Sequence, residues 1–401
     1  MTVIPADLTV ADPASLGIDT AKLDELRARV RREVDDGLLP SCQWALARHG
    51  RLVAFETFGP RTNDTRYGIF SATKALVAST VWQLIAEGSI DVSRRVADLI
   101  PEFATNGKDG ITIEQVMLHT SGFPLAPLGP PAWDTSAGRR EAFGRWRLNW
   151  EPGTAYEYHA TSAHWVLAEL IETVTGQDFR DVVHARVTEP LGLPRILGLA
   201  LDDQDGIADL ELCGEHASAE ELKAAFGIEE LPVGEVTDQV LLQLNRPEAR
   251  VVGLPGGGGV TTAAVVALFY QGLLHNQAGL WDPEVLADAT GTVRNDFPDP
   301  LTHTPANRAL GVIVAGDDGR APFRGFGHTQ SPRTFGHNGA GGQIAWADPD
   351  SGLSFCYLTN GNDLHELRQP RRGIGISSRA AVCVRPGALT SGVGPDDDHG
   401  E

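Results

Sequence analysis

The segment Gly68-Ile-Phe-Ser-Ala-Thr-Lys74 places a serine three residues before a lysine, directly ahead of a helical pattern from Ala75 to Glu87. If Ser71 opens that helix, Lys74 lies on the same face one turn later, with its amine beside the serine hydroxyl. A serine hydroxyl becomes a strong nucleophile when a neighbour accepts its proton, and a lysine can do so when burial or nearby cations lower its pKa. The free N–H groups of a helix N-terminus also favour an oxyanion. The segment therefore predicts a nucleophile and its base side by side.

The serine–lysine spacing needs support from other segments, because an isolated match is weak evidence. The alternative is that Ser71 is an ordinary N-cap and Lys74 a solvated helix residue. Further segments that bear on this choice are Ile111-Thr-Ile-Glu-Gln-Val-Met-Leu-His-Thr-Ser-Gly122, Glu151-Pro-Gly-Thr-Ala-Tyr-Glu-Tyr-His159 and Phe335-Gly-His-Asn-Gly-Ala-Gly-Gly342. In order and spacing, the four segments resemble the serine β-lactamase and penicillin-binding-protein superfamily over roughly Leu23 to Asn362. Within it, the chain is most similar to class C β-lactamases and the related family VIII carboxylesterases.

The resemblance implies catalytic roles for three side chains. Ser71 corresponds to the family's nucleophile and Lys74 to its lysine partner. Tyr158, in Tyr158-His-Ala160, stands where the family has Tyr-x-Asn, so its phenol is expected to share the proton shuttle with Lys74. Because the pKa of a tyrosine is about 10, this role requires a cationic neighbour, which Lys74 could be. Tyr156 is the rival for the role, and Tyr158 could instead be an ordinary core tyrosine.

The glycine-rich segment near residue 340 implies where substrate binds. His337-Asn338-Gly339 stands where β-lactamases have Lys-Thr-Gly or a close variant, so these residues are expected to bind substrate along a strand edge. In the family's geometry, the backbone N–H groups of Ser71 and Ala340 form the oxyanion hole. Glycine allows the close approach of backbone that this arrangement needs.

Two departures from the family pattern argue against penicillins as substrates. Ala160 replaces the asparagine that helps hold the side-chain amide of a β-lactam, and His337 replaces the lysine whose charge helps bind its carboxylate. A neutral acyl donor fits better, so the sequence predicts a serine hydrolase that cleaves a carboxylic ester through an acyl-enzyme, without a cofactor. An amidase, D-peptidase or acyltransferase on the same residues is the alternative. A true β-lactamase or a non-catalytic relative fits less well.

Hydrophobic patterning predicts strands at both ends of the chain and helices between them. The expected helices include Thr20 to Asp36, Ala75 to Glu87, His164 to Val174 and Thr262 to Leu274, and the expected strands are Cys42 to Ala47, Leu52 to Phe58, Leu310 to Ala315, Gln343 to Ala347 and Leu353 to Leu358. This order predicts an α/β (α+β) fold of β-lactamase type, with one antiparallel sheet built from both termini and an inserted, mainly helical lobe. The expected lobes are 1–62 with 245–385 for the sheet and 63–244 for the helices, followed by a disordered acidic tail at 386–401.

Composition limits the partners and the compartment. The 401 residues carry 33 Lys and Arg against 53 Asp and Glu, a net charge of −20, which argues against nucleic acid and anionic membranes as partners. A small-molecule ester or amide is the expected partner, and self-association into a homo-oligomer is left open. Without a signal-peptide pattern, a cytoplasmic location is expected. The scattered cysteines Cys42, Cys213, Cys356 and Cys383 are expected to be reduced core thiols.

Several other residues are weaker candidates. Trp133, Trp146 and Trp150 could border an aromatic-lined pocket, and Trp133 is the one assigned to substrate binding. His119-Thr-Ser-Gly122 is expected to form a structural turn, and Gly256 to Gly259 a tight turn beside the sheet. His159 and His164 lack a metal-binding motif, so no metal site is expected. The absence of a G-x-S-x-G motif disfavours an α/β-hydrolase.

Overall fold

The computed structural model describes residues 10–231 and 236–385. The strands are β1 Cys42–Arg48, β2 Arg51–Phe58, β3 Arg66–Gly68, β4 Ile207–Ala208, β5 Glu211–Cys213, β6 Val260–Thr261, β7 Ile313–Val314, β8 Phe335–Gly336, β9 Ile344–Asp348, β10 Leu353–Thr359 and β11 Gly361–Asp363. The α-helices are α1 Thr20–Asp35, α2 Thr73–Ala86, α3 Ile113–Met117, α4 Ser136–Arg145, α5 Ser162–Thr175, α6 Phe179–Val183, α7 Ala219–Phe226, α8 Asp238–Gln243, α9 Pro247–Val252, α10 Ala263–His275, α11 Pro283–Gly291 and α12 Arg368–Ala381.

The main sheet joins strands from both ends of the described chain. Its six strands run in the order β2-β1-β10-β9-β8-β7, and each neighbouring pair is antiparallel. The hairpin β1–β2 therefore lies beside a strand more than 300 positions later, with Cys42 opposite Thr359. The predicted α/β fold, with an antiparallel sheet built from both ends of the chain, is confirmed. The residue limits predicted for its two lobes stay a prediction.

Alternating side chains give this sheet two different faces. The aromatic side chains of β1, β9 and β10 belong to one buried cluster with α1 and α12; they are Trp44, Trp346, Phe355 and Tyr357. On the opposite face, Ala45, Ala47, Ala345 and Ala347 belong to the cluster that contains α10. Small side chains allow α10 to pack close to the strands, so the sheet is covered by helices on both sides.

The predicted elements agree with the structure except at one strand and in the last segment. β7 is only Ile313–Val314, because Gly311 has φ 87° and turns the chain inside the predicted run from Leu310. The predicted acidic tail, 386–401, lies outside the described residues. Among the described residues, none of the helices combines the length and the hydrophobicity that a membrane span requires.

The cysteine prediction is wrong at one position. All four cysteines have free thiols, and Cys42, Cys356 and Cys383 are buried as expected. Cys213 is only partly buried, because it lies on the two-stranded sheet β5–β11 rather than in the main core.

Candidate active site

Ser71 lies where a short strand turns into a buried helix. Phe70–Ala72 form one turn of 3₁₀-helix that continues directly into α2. Phe70 has φ 45°, a left-handed conformation that is strained for a bulky residue. Ser71 is partly exposed at this turn, whereas the helix behind it is buried on all sides from Thr73 to Leu84. The backbone therefore presents the serine hydroxyl to solvent from an otherwise closed interior.

Lys74 is completely buried directly behind Ser71. Its Nζ lies 3.2 Å from Ser71 Oγ, 2.7 Å from the carbonyl oxygen of Ala160 and 2.6 Å from that of Gly256. The pairing of β3 with β6, and the Ile69 N–H bond to the Gly259 carbonyl, bring the glycine turn to this position. The hydrogen bonds to these two carbonyls orient the Lys74 amine beside the Ser71 hydroxyl. A Cβ at Gly256 would lie 3.2 Å from Nζ, so a side chain there would crowd the amine.

The two candidate tyrosines differ in what they contact. The Tyr158 hydroxyl lies 2.9 Å from Ser71 Oγ, and Lys74 Nζ lies 5.1 Å from the centre of the Tyr158 ring. The Tyr156 hydroxyl instead accepts hydrogen bonds from Arg308, at 2.8 Å from Nη2 and 3.2 Å from Nε. Burial raises the pKa of Tyr156, although Arg308 opposes that shift. Of the two, the structure brings Tyr158 to the serine.

His337 is a neutral imidazole at the position where the β-lactamases that the sequence resembles have lysine. Its Nε2 lies 3.2 Å from Arg308 Nη1, and its Nδ1 lies 2.9 Å from the carbonyl oxygen of Asn338. Because a guanidinium only donates, Nε2 must accept and Nδ1 carries the proton. Burial, and then the nearby charges of Arg308 and Lys74, hold the pKa of His337 well below its usual range.

The residues after His337 shape the backbone opposite Ser71. The Asn338 side chain accepts from Ala345 N–H at 3.0 Å and donates to the Gly325 carbonyl at 2.5 Å, so it holds the turn. A Cβ at Gly339 would overlap the carbonyl oxygen of Ile69. Glycine therefore allows this segment to pack on the backbone that leads to Ser71. Ala340 follows immediately and lines the same cavity as Ser71.

The cavity in front of Ser71 is large and mainly apolar. It measures about 650 Å³, and its lining includes Leu125, Trp133, Val240, Leu241, Leu254 and Phe323. Leu125, Val240 and Phe323 are 49%, 44% and 58% exposed, and exposed apolar side chains that share one cavity are typical of a ligand-binding groove. These three residues form an apolar rim around the cavity, and we call them the apolar rim below.

The three tryptophans that predicted an aromatic pocket do not all reach it. Trp133 lines the cavity and packs against Trp165. Trp146 is buried against Phe123 and Phe143, and Trp150 contacts His159 edge-on. In the described structure, neither of these two belongs to the cavity lining.

The comparisons with known proteins agree with this architecture. The Beta-lactamase family model matches residues 26–375. The chain belongs to the Beta-lactamase family. LipL of Mycobacterium tuberculosis, named an esterase/beta-lactamase, is 28% identical over 324 residues, or 75% of this chain and 70% of LipL.

Two solved structures share the fold of this β-lactamase family member. A penicillin-binding protein homolog from Caulobacter crescentus has a TM-score of 0.74 at 25% identity, covering 91% of this chain and 99% of the homolog. A family VIII carboxylesterase has a TM-score of 0.71 at 23% identity, with the same coverage of 91% and 99%. At 23% identity, the similarity to the carboxylesterase shows a shared fold alone.

Histidines brace the tyrosine segment of this β-lactamase family member. The ring of His159 lies 3.1 Å from the Phe123 N–H and 2.7 Å from the Glu157 carbonyl, so it joins two loops next to Tyr158. His119, expected to sit in a structural turn, adopts φ 59°, and its ring centre lies 5.0 Å from that of Tyr158. Within the described ranges, no three His, Cys, Asp or Glu side chains are arranged to hold a metal ion.

Two features of the site have no counterpart in the sequence analysis. The carbonyls of Ala160 and Gly256 orient Lys74, yet a backbone acceptor leaves no signature in residue type. Arg308 contacts Tyr156 and His337 from a loop that matches no motif. The glycine run at 256–259 indicates a tight turn at one of these acceptors but not its contact with Lys74, and no pattern marks Arg308.

Proposed function

We propose that this protein is a carboxylesterase that forms an acyl-enzyme on Ser71. One observation carries the proposal: Ser71 Oγ lies within hydrogen-bond distance of both Lys74 Nζ, at 3.2 Å, and the Tyr158 hydroxyl, at 2.9 Å. A nucleophile with two proton-transfer groups at the base of a cavity is the arrangement that covalent catalysis requires. Membership of the Beta-lactamase family supports serine hydrolase chemistry in general.

The proposed reaction runs in two stages on the same residues. Ser71 Oγ attacks the ester carbonyl carbon while its proton passes to the Lys74–Tyr158 pair. The N–H groups of Ser71 and Ala340 are the proposed donors to the tetrahedral oxyanion. The bond to the alcohol then breaks, and the departing oxygen takes the proton back. Water attacks the acyl-enzyme with help from the same pair, which releases the acid and restores the serine.

Esters suit this cavity better than β-lactams do. A β-lactam carries a carboxylate and a side-chain amide, whereas His337 is neutral and Ala160 has no side-chain amide to offer. The apolar rim favours an uncharged acyl or alcohol group. The esterase part of the name of LipL, an esterase/beta-lactamase, agrees with an ester substrate.

Hydrolysis of p-nitrophenyl esters of short and medium chain length tests the proposal. Wild-type protein and Ser71→Ala would be compared by stopped flow, with a chromogenic cephalosporin alongside and circular dichroism to verify folding. We expect ester turnover by the wild type, loss of that turnover in Ser71→Ala, and little cephalosporin cleavage. Turnover retained by Ser71→Ala would refute the assignment of the nucleophile.

A second assay separates hydrolysis from the alternative reactions. An aryl phosphonate that reacts with activated serines should label the wild type at Ser71 and leave Ser71→Ala unlabelled. Amide substrates, and ester hydrolysis with an added amine or alcohol acceptor, would follow. Faster turnover of amides, or acyl transfer exceeding release of free acid, would replace the esterase proposal with an amidase or an acyltransferase.

A further inference from the structure

Arg308 is a buried cation whose contacts around the site are neutral. It is 5% exposed, and its guanidinium carbon lies 5.2 Å from the ring centre of Tyr158 and 5.5 Å from that of Tyr156. Its side-chain donors reach the Tyr156 hydroxyl and Nε2 of His337. In the part of the chain that the structure describes, no carboxylate forms an ion pair with it.

This environment differs from that of three other buried arginines in the described structure. Arg139 bonds Glu169 and Glu172, Arg324 bonds Asp318, and Arg372 bonds Asp363. Burying a cation without a counter-ion is costly, so such a group usually has a function that requires its charge. Asp299 lines the same cavity and acts on Tyr156, but within the described structure it forms no ion pair with Arg308, so the guanidinium charge acts on its aromatic neighbours.

Tyr158 is the neighbour whose chemistry would use that charge. Several titratable or charged groups surround Tyr158 and its lysine partner. They are Lys74 from α2, His164 from α5, His119 from the loop after α3, His337 from the loop after β8, Tyr156 from the same segment as Tyr158, and Asp299 and Arg308 from the chain between α11 and β7. The pKa values of the three histidines are held well below their usual range, chiefly by burial, so these rings are neutral.

Only two cations therefore remain in this described group, Lys74 and Arg308. Lys74 exchanges its proton during the proposed reaction, so its charge changes from step to step. A guanidinium keeps its proton at any working pH. Arg308 is thus the permanent positive charge beside Tyr158.

We propose that Arg308 is a positioning residue that stabilises the anionic form of Tyr158 and so replaces the positive charge that His337 lacks. The inference rests on the proposed function, in which Tyr158 accepts the proton of Ser71. The two hydrogen bonds to Tyr156 hold the guanidinium against the Tyr158 ring, which also assigns a role to the tyrosine that does not contact the serine.

The test compares charge-free and charge-retaining variants by their pH–rate profiles on a p-nitrophenyl ester. Arg308→Gln and Arg308→Met remove the charge, and Arg308→Lys keeps it. We expect the charge-free variants to lose about 10- to 100-fold in kcat near neutral pH with KM little changed. In these variants, the acidic limb of the pH–rate profile should move to higher pH by roughly one to two units, so that activity recovers at alkaline pH. Arg308→Lys should keep most of the activity and the wild-type limb.

Arg29→Gln is the matched control, because it also removes a buried guanidinium, but this one pairs with Glu33 on α1 and does not line the cavity. It should lower the melting temperature without moving the acidic limb. Arg308→Met introduces no buried amide that lacks a hydrogen-bond partner. It is therefore the charge-free variant to compare with Arg308→Lys if Arg308→Gln folds poorly. The inference would be overturned if a folded charge-free variant kept the acidic limb of the wild-type pH–rate profile. It would also be overturned if Arg308→Lys and Arg308→Met lost the same fraction of ester turnover at every pH. Failure of the proposed function would show separately, as turnover in Ser71→Ala.

Discussion

Replacing Gly339 with alanine should disrupt the backbone opposite Ser71 without touching a catalytic side chain. The new Cβ would lie closer than 3.0 Å to the carbonyl oxygen of Ile69 and 3.0 Å from Gln343 Cβ. Because carbon and oxygen ordinarily approach no closer than about 3.3 Å, one of the two backbone segments must move by up to roughly 1 Å. Such a displacement at reacting groups costs about 100-fold, similar to the loss of one oxyanion donor.

We therefore expect Gly339→Ala to reduce kcat for a p-nitrophenyl ester by about 100-fold, with KM changed far less. Overpacking should also lower the free energy of unfolding by about 1–3 kcal/mol, measured by urea denaturation. Gly373→Ala in α12 is the control, since its Cβ would meet only Ile344 Cδ1 at an ordinary 3.8 Å. Wild-type turnover in Gly339→Ala would show that the contact with Ile69 does not position the oxyanion site.

Two further predictions concern the substrate and the pH dependence of stability. Phe323 belongs to the apolar rim and is 58% exposed. Phe323→Ser should raise KM for a medium-chain ester several-fold more than KM for an acetate ester, because each buried methylene of the substrate contributes about 0.8 kcal/mol. Equal increases in KM for the two esters would contradict an apolar substrate site. Burial lowers the pKa of His159 from 6.5 to about 4, so the unfolded chain takes up a proton at this residue before the folded chain does. Its contribution to stability is therefore complete above pH 6.5 and is lost as the pH falls towards about 4. Urea denaturation at several pH values should show this loss in the wild type and a smaller one in His159→Gln, and identical slopes in the two proteins would refute it.

Local spacing and periodicity were sufficient to predict much of the molecule. The separation of Ser71 from Lys74 by one turn depends only on local helical geometry, here a 3₁₀ turn that continues into α2, and the structure has Nζ 3.2 Å from Oγ. Apolar runs of strand length likewise mark β1 and β10 as strands, and both strands are buried along their whole length. A one-residue turn can still interrupt such a pattern, and Gly311 shortens β7 in this way.

Contacts between residues far apart in the chain depend on the tertiary structure. Tyr156 and Tyr158 stand in the same sequence segment, and packing alone directs one hydroxyl to Arg308 and the other to Ser71. The carbonyl of Gly256 reaches Lys74 because β3 pairs with β6. Short-range sequence patterns determine which residues share a face of a helix or strand. The partners of each face depend on how the whole chain packs, and no local pattern carries that information.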